Sequence, residues 1–179
     1  LIYFGRSAGA FLALLLSQSN KIESPHQIIS CYGYYSLSDS LLTQPSDYYK
    51  QYQVVPFMTV YNLLKKEPIV NSSIEERFPI YLSYRQSGNW VKELLGRKNK
   101  AQDFSITSDD LKNLPPTFLA ASSSDQDVPF SINQEMSQLI PNNKTFFIEG
   151  MPHDFDANLQ SDQGKKAYAE LTNWLDSFI

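Results

Sequence analysis

Cysteine occurs once in the 179 residues, at Cys31, so no intrachain disulfide can form and the fold must stand on its packed core. That usage favours a reducing compartment, and a cytoplasmic location is expected. Histidine occurs twice, at His26 and His153, which leaves only two positions for an imidazole base. Positive charge is scarce: 15 Lys and Arg against 19 Asp and Glu give a net charge of −4, and the densest basic stretch, Arg97 to Lys100, is short. Nucleic acids and anionic membrane surfaces are therefore poor candidate partners. Long apolar runs are also lacking, since the longest, Phe11 to Leu16, is far too short to span a bilayer. There is no His/Cys cluster with zinc spacing, no phosphate-cradling glycine loop and no acidic calcium loop, so no metal or cofactor is expected.

The remaining composition, 42% hydrophobic and 19% charged, predicts one compact soluble domain. The chain opens on Leu1-Ile2-Tyr3-Phe4, which reads as the interior of a core strand. It is accordingly expected to be the C-terminal piece of a longer polypeptide, with any targeting sequence lying upstream.

Four short, nearly continuous apolar runs read as strands: residues 1–4, Gln27 to Tyr32, Thr117 to Ser122 and Lys144 to Glu149. Such runs suit a parallel sheet buried on both faces. Ala8 to Ser17 reads as a buried helix. Pro129 to Ile140 has helical spacing, and Tyr168, Leu171, Trp174 or Leu175, and Phe178 form one apolar helical face. Strand and helix alternate, which predicts the α/β class. Residues 41–111 interrupt this rhythm: 9 of the 24 aromatic residues fall between Tyr48 and Trp90, and prolines stand at 45, 56, 68 and 79. This stretch is expected to be a helical insertion between core segments 1–40 and 112–179. Within it, Asn89 to Leu95 reads as a short helix and Ser108-Asp109-Asp110-Leu111 as a capped turn.

Gly5-Arg6-Ser7-Ala8-Gly9 is a Gly-x-Ser-x-Gly sequence between a strand and a helix. There Ser7 would occupy the strained tip of a tight turn, with small residues needed two positions to either side. The Ala8 N–H at the helix start would be an oxyanion donor. A serine at ordinary pKa needs a histidine base oriented by a carboxylate. His26 precedes the second strand, at the end of a parallel sheet opposite to Ser7, and reads as an exposed loop residue. His153, in Gly150-Met151-Pro152-His153, follows the fourth strand and emerges at the same edge as Ser7, where open α/β sheets place their ligands. Asp125 follows the third strand at that edge and is the first choice for the carboxylate. Asp127 is its alternative, better suited to capping the helix that opens near Pro129. Asp154 and Asp156 read as surface carboxylates. The chain order Ser, Asp, His is that of α/β-hydrolases and differs from the chymotrypsin and subtilisin orders.

On Gly5-Arg6-Ser7-Ala8-Gly9, Pro115-Pro116-Thr117-Phe118 leading to Asp125-Gln126-Asp127-Val128-Pro129, and Gly150-Met151-Pro152-His153, the chain resembles the C-terminal half of an α/β-hydrolase fold esterase. This is the esterase/lipase group related to prolyl-oligopeptidase-type peptidases. The resemblance implies Ser7 as nucleophile, Asp125 as acid, His153 as base, a small or medium acyl ester as substrate, and residues 41–111 in the position of a lid. It also implies that the four strands correspond to the fifth to eighth of the family's sheet. Members carry earlier strands and a His-Gly-Gly loop that completes the oxyanion hole, and no such loop occurs in this sequence. Two expectations follow: weak activity for this chain alone, and self-association through the open edge of its first strand. A prolyl-oligopeptidase-type peptidase and a non-catalytic associating fragment are the alternative readings. Tyr48, Tyr49, Tyr52, Phe57 and Tyr61 read as the insertion's packing core, with an acyl-pocket lining as the alternative, and Cys31 as a buried hydrophobe.

Overall fold

The computed structural model describes residues 1–67 and 71–179; Pro68, one of the prolines singled out in the insertion, lies outside the described residues. Strands β1 (Ile2–Arg6), β2 (Gln27–Cys31), β3 (Thr117–Ser122) and β4 (Asn143–Ile148) form one all-parallel sheet in the order β1-β2-β3-β4. The register places Arg6 opposite Cys31, Cys31 opposite Ala120, and Ser122 opposite Ile148, so every strand ends at the same edge. The four apolar runs of the sequence are these four strands, and the α/β class is borne out.

Parallel strands require crossovers, and helices supply them. Helix α1 (Ala8–Ser17) packs on β1 and β2, and α7 (Phe130–Leu139) packs on β3 and β4. Ala10, Leu14, Ile132 and Met136 are among the buried positions of these two helices. The opposite sheet face carries Ile29, Cys31, Phe118 and Ala120, the alternate positions of β2 and β3, packed against Ala167 and Leu171 of α8 (Asp162–Asp176). Trp174, near the end of that helix, packs on Phe118 with ring centroids 5.6 Å apart and planes tilted by 45°. β1 pairs with β2 alone among the described residues, and Leu1, Ile2 and Phe4 are exposed.

The chain divides into two compact units, Leu1–Ser36 with Phe104–Ile179, and Leu37–Asp103. The first contains the sheet and the short helix α6 (Ser108–Leu111), which opens on a capping box: the Thr107 hydroxyl accepts from the Asp110 N–H, and the Asp110 carboxylate accepts from the Thr107 N–H. The second is helical: α2 (Ser40–Thr43), α3 (Phe57–Leu63), α4 (Ile74–Ser87) and α5 (Trp90–Leu95). Its core differs from expectation. Of the five aromatics singled out, only Tyr49 is buried, while Tyr48, Tyr52, Phe57 and Tyr61 are exposed. The buried Arg85 guanidinium, flanked by the rings of Tyr49, Tyr81 and Trp90 at 5.6–5.8 Å, organises that centre instead.

Candidate active site

β1 runs straight into the turn that presents Ser7. The residue has φ 52° and ψ −121°, a left-handed backbone that L-residues avoid at a cost of about 1–3 kcal/mol. Two sets of hydrogen bonds hold it there: its N–H donates to the Cys31 carbonyl at 2.9 Å, and its own carbonyl accepts from Ala10 and Phe11 at 2.9 and 3.2 Å, starting α1. Gly5 is required by space, because a Cβ there would run into the Gly9 carbonyl and the Ala10 amide. Gly9 departs from expectation, since a Cβ built on it meets nothing within 4 Å. The close approach is between the Gly5 Cα and the Gly9 main chain, so it constrains the side chain of only one partner. Ala8 opens α1 with an N–H that helix geometry leaves without an intrahelical acceptor.

The structure brings Ser7, His153 and Asp125 into one chain of contacts. His153 Nε2 lies 3.0 Å from Ser7 Oγ, and its Nδ1 lies 2.7 Å from Asp125 Oδ2. The Asp125 side chain is 2% exposed and that of His153 12% exposed, so the pair is largely withdrawn from water. A carboxylate accepts only, so Nδ1 carries the proton and Nε2 is left as an acceptor facing the serine hydroxyl. Asp125 is itself immobilised by its own loop: Oδ1 accepts from the N–H groups of Asp127 and Val128 at 2.8 and 2.9 Å. Of the two aspartates, Asp125 is the one whose carboxylate lies against His153 Nδ1. The N-cap of α7 is Pro129, with no side-chain cap bond, so the capping role expected of Asp127 is not seen there.

Burial of the imidazole lowers its pKa, but the hydrogen bond and charge of Asp125, together with the charges of Asp127 and Asp154, outweigh it, and His153 sits above the ordinary histidine value. Cys31 moves the other way in reactivity: burial, with the nearby Asp156 charge, pushes its thiol up to about 12, as befits an inert core residue. His26 is exposed at the opposite end of the sheet, before β2, and takes no part.

Two loops are stitched together beneath the histidine. Ser122 Oγ donates to the Met151 carbonyl at 2.5 Å and accepts from the Met151 N–H at 3.1 Å. Ser123 Oγ accepts from the N–H of Gly150, which turns with φ 72°. Gln126 Oε1 accepts from the His153 N–H at 3.3 Å. Asp156 overturns its reading as a surface carboxylate: it is 2% exposed and receives hydrogen bonds from Arg6, Tyr32 and Tyr168. Its position three residues after a histidine carries no local sign of burial, because its partners come from β1, the end of β2 and α8. Asp154 is exposed, as read.

This architecture has close counterparts among solved structures. A protein with unknown function from Staphylococcus aureus subsp. aureus Mu50 superposes with a TM-score of 0.84 at 27% identity, over 98% of this chain and 64% of that one. An alpha/beta hydrolase superfamily protein from Enterococcus faecalis gives 0.78 at 23% identity, with the same coverage of both chains. The chain has the α/β-hydrolase fold. An esterase from Rhodococcus sp. ECU1013 shares that fold more distantly, with a TM-score of 0.58 at 14% identity over 98% of this chain and 65% of its own. The chain thus spans a little under two thirds of the length of these three solved structures. No protein-family profile and no curated protein matches the sequence.

Proposed function

We propose that this chain carries the catalytic apparatus of a serine hydrolase that cleaves carboxylic esters of small or medium acyl groups. The observation that carries the proposal is the serial contact Asp125 Oδ2 to His153 Nδ1 to Ser7 Oγ, at 2.7 and 3.0 Å, on a positive-φ serine at a strand-to-helix turn. His153 Nε2 takes the Ser7 proton as Oγ attacks the ester carbonyl. Asp125 holds the imidazole in the tautomer that can do so and stabilises the imidazolium that forms. The negative charge that develops on the carbonyl oxygen is met by the Ala8 N–H at the positive end of α1. The proton on His153 then passes to the departing alkoxide, leaving an acyl group on Ser7. A water molecule, deprotonated by His153, releases it as the carboxylic acid and restores Ser7. Ala8 is the single oxyanion donor assigned, and a second is worth about 2.7–4 kcal/mol of transition-state stabilisation, so turnover by this chain is expected to be slow.

The test is hydrolysis of a p-nitrophenyl ester series from acetate to octanoate, with mass-spectrometric mapping of the acyl adduct. The expected result is an adduct on Ser7 and hydrolysis abolished in Ser7→Ala. Hydrolysis that persists undiminished in Ser7→Ala would overturn the proposal.

A further inference from the structure

Arg6 occupies the variable position of the Gly-x-Ser-x-Gly turn, and its side chain does not point into solvent alone. Nε donates to the Tyr32 hydroxyl at 2.5 Å, and a terminal nitrogen donates to Asp156 Oδ1 at 3.0 Å and to Asp154 Oδ1 at 3.3 Å. The Tyr32 hydroxyl lies 2.7 Å from Asp156 Oδ1 and 2.8 Å from Asp154 Oδ1, with one proton to share between them. Tyr168 closes the far side through Asp156 Oδ2 at 2.8 Å. A buried carboxylate that kept its charge with fewer partners would be costly, and this one has three donors from three different elements.

Tyr32 carries a second and independent sign. It is fully buried, with φ 41°, a backbone state that an aromatic L-residue adopts only when its surroundings impose it. That twist ends β2 and sets the ring edge-on to the His153 imidazole, with centroids 4.6 Å apart and planes at 65°. Asp154, adjacent to His153, also has positive φ at 62°. The two strained residues therefore bracket the histidine, and Arg6, the residue directly before Ser7 in the nucleophile turn, joins them.

We propose that Arg6, Tyr32 and Asp156 are positioning residues that clamp the His153 loop to the nucleophile turn and fix the plane of the imidazole between Ser7 and Asp125. The clamp ties β1 and the end of β2 to the loop after β4, and none of its three members reaches Ser7 Oγ itself. It rests on the hydrolase reading for its purpose, but its geometry can be tested without catalysis.

Tyr32→Phe keeps the ring and removes the hydroxyl, Asp156→Asn removes the central charge, and Arg6→Lys keeps a charge but loses the fork. Met136→Ala, in the core of α7, is the control for general destabilisation. Two readouts are taken on each folded chain: the hydrogen-bonded His153 Nδ1–H resonance in proton NMR, and the rate at which a fluorophosphonate labels Ser7. The expected result is a resonance present in the parent and in Met136→Ala, but lost or exchange-broadened in Tyr32→Phe and Asp156→Asn. Labelling should be about 10- to 100-fold slower in those two and in Arg6→Lys, which keeps the charge but not the two-nitrogen contact, the penalty for an ångström-scale misplacement. A parent chain without the resonance, or variants that retain it unchanged, would overturn the clamp. A parent chain whose resonance responds as expected but whose Ser7 is never labelled would leave the clamp standing and strike the hydrolase reading alone.

Discussion

Replacing Asp125 by asparagine removes one charge and, through the geometry of the loop, reverses the tautomer of His153. Oδ1 of Asp125 accepts from the Asp127 and Val128 amides at 2.8 and 2.9 Å, and asparagine can keep both bonds only by placing its carbonyl oxygen there. Its NH2 group then faces His153 Nδ1, in the place of the oxygen now 2.7 Å away. Nδ1 must become the acceptor, and the ring proton moves to Nε2, 3.0 Å from Ser7 Oγ, which leaves no base for the hydroxyl. A wrong-tautomer histidine in a triad of this kind costs about 10⁴-fold in rate, or about 5.5 kcal/mol. The same substitution removes the hydrogen bond and charge that hold His153 above the ordinary histidine value, against the lowering effect of burial. Because the base works only when neutral, the parent's reaction should rise through a midpoint above about pH 6.5. The midpoint of the residual reaction should move to lower pH. The assay is the second-order rate of Ser7 phosphonylation between pH 5 and 9, with circular dichroism as the check on folding. A folded Asp125→Asn chain reacting within threefold of the parent at its optimum would refute this reasoning.

Two further outcomes follow from packing. Gly5→Ala drives a methyl group into the Gly9 carbonyl and the Ala10 amide, so urea denaturation should show a loss of about 1–3 kcal/mol, and a change below 0.5 kcal/mol would show that the turn can open without cost. Cys31 lies buried with its thiol pushed up to about 12 by burial and the Asp156 charge, so a thiol reagent at pH 8 should modify it only at the rate of unfolding; rapid modification of the native chain would contradict the assigned burial.

The central strands β2 and β3 were legible because strands buried on both faces of a parallel sheet write themselves as mostly apolar runs, as Gln27 to Cys31 and Thr117 to Ser122 do. The three residues placed on one sheet edge were legible for a related reason: with all strands parallel, whatever follows each strand arrives at the same end. Helix α4 was not. Its residues show almost no amphipathic bias, and Pro79 lies within it, so neither periodicity nor propensity marks it. Its ends did carry signals, since Ser73 caps the Glu76 N–H and Gly88 closes the helix in the left-handed conformation at φ 71°. The burial of Asp156 was invisible for a different reason. A carboxylate is stabilised inside a protein by partners, and Arg6, Tyr32 and Tyr168 are remote from it in sequence or unmarked as neighbours.

The central claim, that Ser7 is an activated nucleophile, is tested most directly by mass-spectrometric mapping of fluorophosphonate labelling, which needs a reactive serine but little substrate pocket. The account predicts a single adduct at Ser7 that vanishes in Ser7→Ala and in His153→Ala. Absence of an adduct at Ser7 in the folded chain, or labelling of Ser7 that is indifferent to His153→Ala, would contradict it.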